Sequence, residues 1–154
     1  MAIDKVDKLL LAAEKAIPQS LMPDLPRNEY SDQPEWYGFE DAIWRLGADI
    51  QMFLSENKSY LLNDSQIQRI IEISTNANAK RGRQSFIMLL GHKRYSQYSE
   101  RIVSQIYDSD VEGHVIGTLL KMQSPGYAKI IRPYTDNQFA WIRNKAKKYI
   151  EKYD

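Results

Sequence analysis

Two histidines, His92 and His114, are the side chains of this sequence best suited to proton transfer near neutral pH, since an unperturbed imidazole titrates close to 6.5. They lie 22 residues apart on different expected elements. No histidine pair recurs at the four-residue spacing that would put two imidazoles on one helical face around zinc. His92 follows Gly91 at an expected helix end, where an imidazole meets free carbonyls and the negative pole of the helix. His114 falls in the first turn of another helix beside Glu112, as a surface or partner contact. The neighbouring carboxylates Glu40 and Asp41, and Asp108 and Asp110, offer acid–base chemistry only where their surroundings drive two pKa values apart. The sequence shows no such signal, and Asp108, Asp110 and Asp136 serve more simply as helix caps or as partners of Arg143. The seven glycines are scattered singly, so no phosphate-cradling loop forms. With no cysteine there is no disulfide, thiolate metal site or thiol nucleophile. The expectation is a chain without catalytic residues, metal or cofactor, and therefore not an enzyme.

The elements that must position these residues are helices. Apolar residues recur at steps of three and four almost everywhere, with no sustained polar–apolar alternation. A helix is expected from about residue 3 to 16, ended by Pro18. Residues 18–34 then hold four of the six prolines and read as an ordered loop or linker. Further helices are expected over 35–55, from an Asn63 or Asp64 cap through Ile73, and over 79–90, 95–107, 111–122, 127–132 and 137–153. At 154 residues and 43% hydrophobic composition, one substantial core and a single domain over 1–154 suffice. Within it, residues 1–58 supply N-terminal helices and the proline-rich loop, and 60–154 supply helical pairs. Met1 to Leu11 mixes charges with apolar positions, unlike a secretion leader. The longest uncharged apolar stretches, 85–90 and 115–120, are far shorter than the roughly 20 residues a bilayer requires. A cytoplasmic protein with no membrane partner is expected.

The second half repeats itself. The segments starting at Gly82, Val115 and Ile142 share an apolar frame about 30 residues apart. Shorter helices lie between them, and the turns Asp108-Ser109-Asp110 and Tyr134-Thr135-Asp136-Asn137 precede the later two. In this the sequence resembles the HEAT-like family of α-helical repeats. In that family an Asp-containing turn leads into a helix that opens with an apolar residue and Arg, followed by a small residue and an apolar pair. Asp136 with Ile142, Arg143, Ala146, Tyr149 and Ile150 carries the pattern best; Gly82-Arg83 carries it partly, and the Val115-Ile116 segment lacks the Arg. The resemblance covers about residues 60–154. It implies an all-α fold, a right-handed stack of antiparallel helical hairpins forming an α-α superhelix, with the N-terminal helices as a cap.

Two surfaces are candidates for binding. Residues 1–77 carry 13 acidic against 7 basic side chains, and residues 78–154 carry 7 against 14. In the first half, Glu29, Asp32, Glu35, Glu40 and Asp41 are interleaved with Tyr30, Trp36 and Tyr37. Acids there would steer the encounter with a basic protein partner, and the aromatics would anchor it. In the second half, Lys80, Arg81, Arg83, Arg94, Arg143 and Lys147, together with Lys93, Lys145, Lys148 and Lys152, form an alternative basic surface that would follow a nucleic-acid backbone. The acidic residues interrupting that set and a pI near 7.9 weigh against a dedicated nucleic-acid module. The expected function is a non-catalytic protein-binding module. Its most concrete form is a bacterial immunity protein that binds and neutralises a cognate toxin such as a nuclease. A HEAT-like nucleic-acid-binding protein and a structural adaptor are the alternatives.

Overall fold

A computed structural model of the chain describes residues 3–26 and 35–154. Among the described residues all regular structure is helical and no strand occurs. Asp4 starts the first helix, α1 (Lys5–Ala16), by accepting the Val6 and Asp7 amides at 2.8 and 3.1 Å, which satisfies two donors the first turn leaves open. Its stripe Val6, Leu10 and Ala13 is buried. Helix α2 (Gly38–Glu56) buries Ile43, Gly47 and Ile50 at helical spacing, while Phe39, Leu46 and Phe53 are half-buried and Trp36 precedes the helix, exposed. Helix α3 (Asp64–Ser74) opens on a capping box: Asn63 Oδ1 accepts the Gln66 amide and Gln66 Oε1 accepts the Asn63 amide, at 2.8 and 2.9 Å.

Beyond α3 the helices expected over 79–90 and 95–107 are divided into shorter pieces. Asn76 Oδ1 accepts the Asn78 amide at 3.0 Å and opens a 3-10 turn, Ala77–Gly82, where a continuous helix over 79–90 is expected. Lys80 leaves the helical region with φ 49° and ψ −128°, so α4 is confined to Arg83–Leu89. The expected helix 95–107 divides likewise into a 3-10 turn Lys93–Tyr98, α5 (Ser99–Val103) and a second 3-10 turn Ser104–Tyr107. His92 Nδ1 caps the first piece by accepting the Arg94 amide at 3.1 Å, and Ser104 Oγ donates back to the Arg101 carbonyl at 2.8 Å. Helix α6 (Glu112–Met122) ends at Gln123, whose left-handed backbone (φ 56°) turns its amide toward the Leu119 and Leu120 carbonyls. Helix α7 (Ala128–Ile131), a 3-10 turn containing Pro133 (Arg132–Asp136) and α8 (Ala140–Tyr153) complete the chain.

The chain divides into two compact units, Met1–Phe86 and Ile87–Asp154. In the first, α1 packs on α2 and α3, and α2 packs on the 77–82 turn. Glycine permits the last contact: a Cβ on Gly82 would lie 2.7 Å from Ile43 Cβ and 3.0 Å from the Glu40 carbonyl, and one on Gly47 would lie 2.1 Å from Ser85 Oγ. In the first unit, residues 64–74 thus pack on α1 and the 77–82 turn packs on α2. In the second unit α6 is central, burying Val115, Ile116, Leu119 and Met122 and packing on α5, the flanking 3-10 turns and α8.

Candidate functional site

Of the acidic–aromatic set, Glu29, Tyr30 and Asp32 lie outside the described residues. The others gather at the start of α2. Tyr37 is the cap residue; its ring stacks on Phe39 with centroids 5.2 Å apart, and its hydroxyl donates to the Pro23 carbonyl at 2.5 Å. Glu35 is exposed and its amide donates to the Pro26 carbonyl at 3.1 Å. Trp36 is 37% exposed. Asp41 is exposed and reaches Arg45, one turn on, at 2.8 Å, an ion pair in water that adds little stability.

Glu40 departs from this surface. It is 1% exposed, its Oε1 accepts the Tyr37 amide and its Oε2 accepts the Arg81 amide, both at 2.9 Å. Its carboxylate closes the first turn of α2 and satisfies the backbone of the 77–82 turn, and so is withdrawn from any partner. The described part of the proline segment is held by the same region. Asn78 Nδ2 donates to the Pro18 carbonyl at 3.1 Å, and Lys80 Nζ donates to the Met22 carbonyl at 3.3 Å and to Asp24 Oδ1 at 2.5 Å. The hydrogen bond and charge of Lys80 hold the Asp24 carboxyl below its ordinary value.

The alternative basic surface needs a larger correction. Lys80, Arg81 and Arg83 are 5%, 8% and 0% exposed. Arg83 Nε donates to the Lys80 carbonyl at 2.8 Å, bracing the turn from inside. A buried cation is tolerated only when hydrogen-bonded or paired, so these three belong to the interior of the first unit. Of the rest, Arg94 is exposed and bonds His92 Nδ1 through Nε at 3.2 Å; Arg143 is half-buried and donates to the Asn137 carbonyl at 2.9 Å; Lys147 is exposed. Lys80, Arg81 and Arg83 are therefore not part of an exposed surface. Nothing in the sequence separates a buried arginine from an exposed one here, since Lys80-Arg81-Gly82-Arg83 has the composition of a solvated turn.

Sequence reasoning also missed a polar network joining α1 to α3. Tyr60 donates to both Asp4 carboxylate oxygens at 2.8 Å, and Gln66 Nε2 reaches Tyr60 and Asp7 at 2.8 and 3.1 Å. Arg69 grips Glu14 with two bonds of 3.0 and 2.6 Å. Burial pushes the Asp4 carboxyl up, but the bonds from Tyr60 and the Asp7 and Val6 amides outweigh it and hold the group below its usual range. Beside the network an open cleft of about 340 Å³ is lined by Glu14, Ile17, Pro18, Gln19, Glu72, Ile73, Asn76 and Asn78.

In the second unit His114 is half-buried, its ring edge-on to Trp141 with centroids 5.2 Å apart. Burial, aided by the Lys145 charge, pushes its pKa down to about 4. Among the described residues no three His, Asp or Glu side chains converge as a metal site, and no helix is long and apolar enough to cross a membrane. Comparison with family models, curated proteins and solved structures finds no match to the chain.

Proposed function

We propose that this chain is a non-catalytic protein-binding module, working in the cytoplasm, whose first unit docks a basic protein partner through the start of α2. In its most concrete form it is an immunity protein that neutralises a cognate toxin, and its helical pairs stack in the HEAT-like manner. The observation that carries the docking reading is the segregation of charge in the first unit. Glu35, Trp36, Asp41 with its exposed partner Arg45, and the 72%-exposed carboxylate of Asp24 face solvent, while Lys80, Arg81 and Arg83 are buried. An outward acidic field around an exposed indole suits a basic partner: the charges speed the encounter and the aromatic supplies the anchor.

The test is rescue from toxicity. The protein encoded beside this chain's gene is expressed in a host together with the chain itself or with its Glu35→Gln, Trp36→Ala, Asp41→Asn variant; Glu40 is left intact because it holds the fold. The chain is expected to restore growth, and the triple variant to lose most of that protection while keeping its helical circular dichroism. Full protection by the variant removes this surface, and a harmless neighbour removes the immunity reading.

A further inference from the structure

Of the basic residues the sequence singles out, the second unit brings together Lys145 and Lys148, and adds Lys121 to them. Lys121 near the end of α6 and Lys145 and Lys148 on α8 converge where the two helices pack. Gly117 makes room: Lys145 lies across it, with Nζ 3.3 Å from where a Cβ would stand. The stem of Lys121 crosses Gly91 in the same way, 3.2 Å from its missing Cβ. None of the three lysines forms an ion pair with a carboxylate among the described residues, whereas Arg45, Arg69, Lys80 and Arg132 each hold one. The crowding is felt: burial, then the charges of Lys121 and Lys148, push the Lys145 ammonium below its usual value. Uncompensated like charges held together by packing favour an anion that neutralises all of them.

Along α8 the pattern extends as Trp141, Lys145, Lys148 and Lys152, at steps of four, three and four, so all four lie on one face over about 16 Å of helix. Trp141 is 45% exposed, the only exposed large apolar side chain of this helix, and its covered edge is held by His114 and the closely approaching Gly113. Evenly spaced ammonium groups beside one fixed, half-open indole match a strand of phosphates with a base to stack. A bilayer surface would demand several exposed apolar side chains on this face rather than one. From this juxtaposition we infer that the α6–α8 face, with Lys121, Lys145, Lys148, Lys152 and Trp141, binds the phosphodiester backbone of single-stranded nucleic acid. The site belongs to the second unit alone, and the proposal does not rest on the docking reading of the first.

The experiment is fluorescence anisotropy of the full chain with a labelled oligothymidine 15-mer at 50 and 200 mM salt. Binding is expected to weaken with a log–log salt slope of about −2 to −3, from roughly −0.7 for each phosphate neutralised by the four lysines. The Lys145→Gln, Lys148→Gln, Lys152→Gln variant is expected to lose affinity at least tenfold and to flatten that slope. Trp141→Leu, which keeps an apolar side chain against Gly113, is expected to weaken binding by about fivefold or more, and Lys58→Gln in the first unit to change nothing. Absence of binding at 50 mM salt overturns the assignment, as does a triple lysine variant that binds like the parent with intact circular dichroism. Equal affinity for poly-glutamate or for anionic phosphatidylserine vesicles also overturns it, transferring the face to an acidic protein or a membrane surface. None of these outcomes bears on the rescue test, which reads the other unit.

Discussion

At the residue scale, adjacent carboxylates with the same sequence signature have opposite fates. Asp41 points to water, where its pair with Arg45 is screened and weak, while Glu40 is enclosed and holds two backbone amides. Glu40→Ala is therefore expected to cost about 2–4 kcal/mol, because it removes a helix cap and leaves two donors unsatisfied. Asp41→Ala should cost less than about 1 kcal/mol. Urea denaturation of the two variants checks the contrast, and equal losses would refute the role given to Glu40. The sequence did announce an acidic helix start, since acids gather where the positive pole of α2 begins. It did not announce that the 77–82 turn returns to the third residue of that helix. That approach depends on Gly82 fitting against Ile43 and on Lys80 taking a left-handed backbone, a conformation that costs a non-glycine residue about 1–3 kcal/mol and survives only where neighbours fix it.

At the element scale, α6 and α8 meet across glycines whose demands differ. A Cβ at Gly113 would stand 2.3 Å from the Trp141 ring and 2.7 Å from Ile142, both held by packing, whereas one at Gly117 would meet only the flexible end of Lys145 at 3.3 Å. Gly113→Ala is expected to destabilise by about 1–3 kcal/mol through overpacking. Gly117→Ala should be neutral or stabilising by up to about 1 kcal/mol, since alanine favours the helix. Thermal unfolding of both variants, with the opposite order as the refuting result, separates the cases. Two boundaries were legible, the end of the first helix before Pro18 and the Asn63 cap of α3, whereas α2 and α8 begin at Gly38 and Ala140, each three residues after the expected start. The helices over 79–90 and 95–107 were not, because apolar spacing of three and four fits a 3-10 turn nearly as well as an α-helix over so few residues. What decided between them was local side-chain bonding by Asn76, His92 and Ser104.

At the scale of the whole molecule, charge asymmetry and, among the described residues, the helical class and the absence of a helix long and apolar enough to cross a membrane could all be read from composition and periodicity. The division after Phe86 could not, since it follows from which helices the 60–86 segment packs against. Acid response is also a property of the whole chain. The folded protein holds His114 at about 4 while an unfolded imidazole titrates near 6.5, so the unfolded state binds the extra proton in that interval. Its contribution is complete above about pH 6.5 and is lost as pH falls toward 4; those of Asp4 and Asp24, held low, are lost only below their ordinary values near 3.8. Glu112, pushed up by burial, acts with the opposite sign. Between pH 7 and 4.5 the parent should therefore lose about 1–3 kcal/mol more than His114→Gln, and parallel losses in urea denaturation would contradict the burial of that imidazole. Each proposed surface carries its own indole: Trp36 is 37% exposed in the first unit and Trp141 45% exposed in the second, with Trp44 more covered on α2. In a Trp44→Phe background, intrinsic emission becomes a two-channel reporter, so that a polycation shifting one spectrum and an oligonucleotide quenching the other reveal, without any label, which unit each ligand has met.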